Sequence, residues 1–232
     1  MLVERNPYKF EISIVLPTRK RVEKLNETLY SILSLANPDE VNFEIIVKVD
    51  FDDIDTIDYI KNWENTFENV TFIINSRRGG WLNMVDYVEN MIDIAKGKWI
   101  LNINDDMLFK TKNWNTILSN YLKEFKIYFI NTNGYRQSFP IYPKKIKDIL
   151  GHISHHNQID TYLYTLSKNT GIEDYIEDIF LEHDLELQDE VHGDKAKVVD
   201  RNFITRNYHF NSPEFMTDIN KLKTYLNKNE IF

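Results

Sequence analysis

Two adjacent carboxylates, Asp105 and Asp106, follow Asn104 at the end of the apolar run Trp99-Ile100-Leu101-Asn102-Ile103. A buried strand that delivers paired acids to a sheet edge offers oxygen ligands to a hard divalent cation. Mg²⁺ or Mn²⁺ held in this way keeps coordination positions open for substrate phosphates. The same residues also suit an acidic turn, because Asn and Asp form turns readily. Polar groups recur after other apolar runs: Pro17-Thr18-Arg19 after residues 11–16, Asp50 after 43–49, and Arg77-Arg78 after 70–74. Thr18 suits a ligand contact or a helix N-cap, and Asp50 a ligand contact or a strand-end turn. An Arg at 77 or 78 would neutralise phosphate charge, its planar fork matching phosphate oxygens.

Alternating elements must position these groups. Residues 11–16 read as a buried strand stopped by Pro17, and Val22, Leu25, Leu29, Ile32 and Leu33 recur at helical spacing until Asn37-Pro38. Residues 43–49 form a second strand, Ile57, Ile60 and Trp63 a short helix, and residues 70–74 a third strand. Leu82, Val85, Val88, Ile92 and Ala95 make another helical stripe, closed by Gly97, before the strand at 99–103. Four rounds of strand then helix predict an α/β fold, a mostly parallel sheet with helices on both faces. Ligands of such sheets bind outside the carboxyl ends of the strands, where all the polar groups above fall.

The second half is less regular. Helices are expected over 114–122, 143–150, 160–168 and 213–226, with Gly151 and Gly171 beyond two of their ends. Strands are expected over 127–131 and along Ile176, Ile179 and Leu181, leading to His183. The acidic stretch 184–194 has no apolar period and reads as a loop ordered by ligand. His152, His155 and His156 match no common zinc-ligand spacing and are assigned to the acceptor side or to solvent.

Composition narrows the classes. A formal charge of -8 leaves no basic excess for nucleic-acid phosphates, so nucleic acid is not an expected partner. The absence of cysteine removes disulfides, thiolate metal sites and cysteine nucleophiles. No apolar stretch approaches a transmembrane length and no signal-peptide core is visible, so a cytoplasmic location is expected.

The order of these features resembles the GT-A nucleotide-sugar glycosyltransferases, especially the family-2 type, over roughly residues 10–195. The marks are Ile14-Val15-Leu16-Pro17-Thr18-Arg19, Val47-Lys48-Val49-Asp50, Arg78-Gly79-Gly80-Trp81-Leu82-Asn83, Trp99 through Asp106, and Asn113-Trp114-Asn115. Two departures stand out: Asn104 takes the first place of the family's Asp-X-Asp motif, and Phe51-Asp52-Asp53 replaces its usual glycine-containing acidic run. The resemblance implies a Rossmann-like GT-A domain over residues 1–232. Residues 1–110 would bind the nucleotide-sugar, 111–212 would form the acceptor and catalytic half, and 213–232 a C-terminal helix.

It also implies roles. Pro17, Thr18, Arg19, Arg78 and Asn83 would hold the donor, Asp50 would accept from a uracil imide, and Asp105 would meet ribose or sugar hydroxyls. Asp106 and His183 would bind Mn²⁺ or Mg²⁺, with His192 the competitor for the imidazole position. Asp160, at a helix start, would be the base that deprotonates a carbohydrate or other hydroxyl acceptor during an inverting transfer from a UDP-sugar. As a helix start it is also a natural N-cap. Two rivals remain, a nucleotidyltransferase and a catalytically inactive nucleotide- or sugar-binding module. The first would want a glycine- and Lys/Arg-rich phosphate loop, and residues 17–21 are basic but lack glycine.

Overall fold

The computed structural model describes residues 8–61, 63, 67–76, 83–183 and 212–229. The first half alternates strand and helix: β1 (Phe10–Thr18), α1 (Val22–Leu35), β2 (Phe43–Asp50), α2 (Ile54–Ile60), β3 (Val70–Asn75), α3 (Met84–Ile94) and β4 (Gly97–Asn102). The second half continues with β5 (Met107–Phe109), α4 (Trp114–Tyr121), β6 (Ile127–Thr132), β7 (Pro140–Pro143) and α5 (Lys145–Leu150). It closes with α6 (Ile159–Thr170), β8 (Glu173–His183) and α7 (Pro213–Lys228).

One sheet runs in the order β3-β2-β1-β4-β7-β6-β8-β5. The first four strands are parallel, β7 is antiparallel to both neighbours, β6 and β8 are parallel, and β5 is antiparallel to β8. The expected parallel sheet is therefore the β3-β2-β1-β4 part of a mixed one. Alternate side chains of β1 and β2 divide the core. Ile12, Ile14, Leu16, Ile45, Val47 and Val49 pack with α1, α2 and α4, while Val15 and Ile46 pack with α3, α5, α6 and α7.

The topology requires curvature. Only residues 103–106 join β4 to β5, although β5 lies four strand positions away. A flat sheet would separate them by about 19 Å at the usual strand spacing, while five extended steps reach at most about 18 Å. The sheet curls instead, and β5 packs on α1, where the Phe109 amide donates to Ser31 Oγ at 3.1 Å. This curl brings the end of β8 back to the acidic pair.

Three local expectations differ from the structure. Pro17 does not stop β1, which runs to Thr18 with Pro17 paired opposite Lys48. Pairing to β4 ends at Val15, whose carbonyl accepts from Ile103, so the proline nitrogen two residues on faces the side where no partner strand continues. Gly97 opens β4 rather than closing the preceding helix. A Cβ there would meet the Ser13 amide at 2.5 Å, so glycine permits the close approach of β1 and β4. The helix expected from Pro143 starts at Lys145, because residues 140–143 form β7. Gly151 and Gly171 do end α5 and α6, with φ of 89° and 73°. No helix among the described residues is long and apolar enough to cross a membrane.

Candidate active site

The carboxyl ends of β3, β2, β1 and β4 present Asn75, Asp50, Thr18 and the turn containing Asp105 and Asp106 along one edge. Thr18 ends β1 and is not a helix cap. Its hydroxyl donates to Asp105 Oδ2 at 2.6 Å. The Thr28 hydroxyl of α1 donates to the Asp105 carbonyl at 2.9 Å, so the acidic turn is held from two elements.

Arg21, at the N-terminus of α1, is the cation on the acidic pair. Its guanidinium lies 2.9 Å from Asp105 Oδ1 and 3.3 Å from Asp106 Oδ2, and all three side chains are at most 8% exposed. The sequence reading looked to Arg77 and Arg78 for positive charge and passed over Arg21. The available signal was its place in the basic run that follows β1. Burial pushes the Asp105 carboxyl above the ordinary carboxylate range, while Arg21 and the Thr18 hydroxyl pull the other way. Substituting Arg21 by Met would leave two buried acids without this partner. Arg21→Met is expected to lower stability by about 3–5 kcal/mol, read from the urea unfolding midpoint.

β5 pairs with the end of β8 so that Met107 stands opposite His183. This register sets His183 Nε2 3.5 Å from Asp106 Oδ1. The His183 backbone is clamped by Asn133, whose Oδ1 accepts from its amide at 2.7 Å and whose Nδ2 donates to its carbonyl at 3.0 Å. The Phe139 ring, from a residue at φ 55°, stands edge-on to the imidazole at 5.5 Å between centroids. A carboxylate and an imidazole thus face each other on a rigid support, a donor set acceptable to Mn²⁺ and less usual for Mg²⁺.

Asp50 is engaged on both oxygens. Lys48 meets Oδ1, and Arg19 reaches Oδ2 at 3.0 Å while also forking onto Asp52 at 2.6 and 3.0 Å. The Lys48 ammonium lies 3.6 Å from the centre of the Tyr87 ring, and burial lowers its pKa against the pull of Asp50. Lys48, Ile73, Asn75, Ser76, Tyr87 and Asn90 line a hollow beside these groups. Lys48 stood in the sequence only inside the run Val47-Lys48-Val49-Asp50, with no role of its own, and Tyr87 was not singled out.

Asp160 lies in the first turn of α6, but the N-cap is Gln158. Its carboxylate accepts from its own amide and from Thr161, and burial nevertheless raises its pKa. α6 packs on β6, β7 and β8, the strands beyond the acidic turn. No described contact joins Asp160 to Asp106 or His183. Asn83 is the residue before α3. Asn113-Trp114-Asn115 has structural partners: Trp114 Nε1 donates to the Ile32 carbonyl at 2.9 Å, and Asn115 Nδ2 to the Glu40 carbonyl at 2.7 Å. Arg78, His192 and the stretch 184–194 lie outside the described residues.

Comparison with known proteins assigns the class. The family model for glycosyl transferase family 2 matches residues 13–183. The chain belongs to that family, and its fold is GT-A. Among solved structures, Staphylococcus aureus TarS 1-349 aligns at 15% identity over 90% of this chain and 77% of that one, with a TM-score of 0.61. Its complex with UDP-GlcNAc aligns at 16% identity over 96% of this chain and 73% of that one, with a TM-score of 0.64. The mannosyltransferase PcManGT from Pyrobaculum calidifontis, in complex with GDP-Man and Mn²⁺, aligns at 12% identity over 94% and 73%, with a TM-score of 0.66. A comparison with curated protein sequences finds no match.

Proposed function

We propose that this glycosyltransferase moves a sugar from a UDP-sugar to a hydroxyl acceptor, with inversion and with the help of Mn²⁺ or Mg²⁺ at Asp106 and His183. The observation that carries the reading is the β5–β8 register, which faces His183 toward Asp106 across 3.5 Å beside the ends of the parallel strands. A nucleotidyltransferase is displaced by the family membership.

Residues 1–110 form the donor half of this reading and 111–212 the acceptor half, with the C-terminal helix behind them. Asp50 accepts from the uracil imide. Each carboxylate oxygen has two lone-pair directions, so Lys48 and Arg19 leave room for that contact. The base would lie against Asp50, and Pro17, Thr18, Arg19 and Asn83 would hold the rest of the donor together with Arg78, which lies outside the described residues. Asp105 keeps lone pairs for a sugar or ribose hydroxyl beyond those used by Thr18 and Arg21. A divalent ion at Asp106 and His183 would supply positive charge to the departing diphosphate. Asp160 takes the proton of the acceptor hydroxyl as its oxygen attacks the anomeric carbon from the face opposite the diphosphate.

The experiment is a thermal-shift series with UDP, GDP, their sugars and Mn²⁺. A ligand of the folded state raises stability with the logarithm of its concentration over Kd. UDP with Mn²⁺ at 100 times its Kd is expected to add about 2.7 kcal/mol, and UDP alone less. A larger shift with GDP would reassign the base. Nucleotide binding without UDP release from any UDP-sugar, with or without Mn²⁺, would favour the inactive binding module.

A further inference from the structure

We propose that His152, His155 and Asp218 form a second metal site, separate from Asp106 and His183, that takes Zn²⁺. These three side chains come from the loop after α5 and from α7, and their ligand atoms all lie within 4.8 Å of one another. His155 Nε2 is 2.9 Å from Asp218 Oδ2, and His152 Nε2 is 3.3 Å from Oδ1 and 3.2 Å from Oδ2. Bond lengths of 2.0–2.2 Å in a tetrahedral zinc site place neighbouring ligand atoms roughly 3.2–3.6 Å apart. The two His–Asp separations are close to that spacing, and an ion would draw the two imidazoles to it from within 4.8 Å of each other.

The surroundings suit a metal ion. The Asp218 side chain is 2% exposed. The imidazole centroids lie 3.9 Å apart with the rings tilted by 40°, and both rings turn Nε2 to it. The Tyr162 hydroxyl donates to Asp218 Oδ2 at 2.6 Å, the outer hydrogen bond that orients a ligating carboxylate. Lys221 lies 3.6 Å from Oδ1 and donates to the Leu150 carbonyl at 3.0 Å, so it keeps an acceptor of its own when an ion takes that oxygen. Two imidazoles and one carboxylate select zinc over magnesium and leave a fourth position open.

Spacing alone set zinc aside for these histidines, because the two lie in a loop and their third partner is more than sixty residues away. It sits on the α3, α5, α6 and α7 side of the sheet, whereas Asp105 is held against α1 on the other. An ion here would tie α7 to the loop that leads into α6, whose first turn carries Asp160.

The test is Co²⁺ and Zn²⁺ binding to the full chain without nucleotide, read by equilibrium dialysis and by the visible absorption of tetrahedral cobalt. One equivalent is expected in the parent and in Asp106→Asn/His183→Gln. The affinity should fall roughly 100-fold or more in His152→Gln/His155→Gln, beyond what loss of an outer-shell partner alone costs. Asp218→Asn should behave alike. If that buried change prevents folding, the single variant His155→Gln, at a partly exposed position, carries the test. Parent protein that binds no ion would overturn the proposal. So would binding that is lost with Asp106 and His183 but kept without His152 and His155. The cluster would then be a hydrogen-bonded tie and nothing more.

Discussion

Asp160→Asn is expected to lower kcat by roughly 10²–10⁴-fold while leaving the Kd for UDP unchanged. Asparagine keeps the size of the side chain and an oxygen for the amides of the first turn of α6, so the substitution isolates proton acceptance. Burial raises the Asp160 pKa, against the amide hydrogen bonds that lower it. The base works ionised, so the parental rate should rise with pH through a value above the ordinary carboxylate pKa of about 3.9. The sign for stability is opposite. A carboxyl whose folded pKa is raised costs stability once it is ionised, and that cost disappears as pH falls below the unfolded value. The Asn variant should lose the acid limb of the rate profile and the matching slope in stability. Near-parental turnover with a verified acceptor would make Asp160 a support of the helix start and move the base elsewhere.

The elements of the first half were legible because their signals are local. Residues 43–49 are apolar enough to mark a buried strand, and all eight residues of β2 are buried. The stripe from Val22 to Leu33 has helical period, and α1 follows it. The acidic pair could be placed at a strand end because the run before it is long and apolar. Pairings between distant segments were not legible. β5 and β7 have three and four residues, too short for a period to register. The register of β8 slips against β6 between Ile130 and Asn131, and only that slip with the curl of the sheet determines what His183 meets. Arg21 appeared in the sequence only as the last member of the basic run 17–21. Its burial against two acids follows from the way β1 delivers α1 beside the β4 turn, 84 residues away in sequence. The tyrosines of the second half divide similarly: Tyr142 and Tyr162 are core, and Tyr135 is 77% exposed. Alternation and composition cannot make that division, because tyrosine serves both places.

Asp106→Ala is expected to abolish the enhancement of UDP binding by Mn²⁺, a loss of at least about tenfold or 1.4 kcal/mol, while the fold survives. Arg21 explains why the fold should tolerate it. Two buried carboxylates share one guanidinium, so removal of Asp106 leaves Arg21 paired with Asp105 at 2.9 Å and balanced in charge. Removal of Arg21 leaves two acids facing each other, which is why that variant should unfold more readily than this one. The same competition bears on ion binding, since a divalent cation at Asp106 must displace or share with the guanidinium at 3.3 Å. Donor phosphates would compensate by giving Arg21 a new anionic partner, so Mn²⁺ and UDP should each strengthen binding of the other by the same factor. Calorimetric titration of UDP with and without Mn²⁺, in the parent and in Asp106→Ala, measures that factor directly. If the variant retains the full enhancement with an unchanged circular-dichroism spectrum, Asp106 is not a ligand and the acidic turn serves only to anchor Thr18 and Arg21.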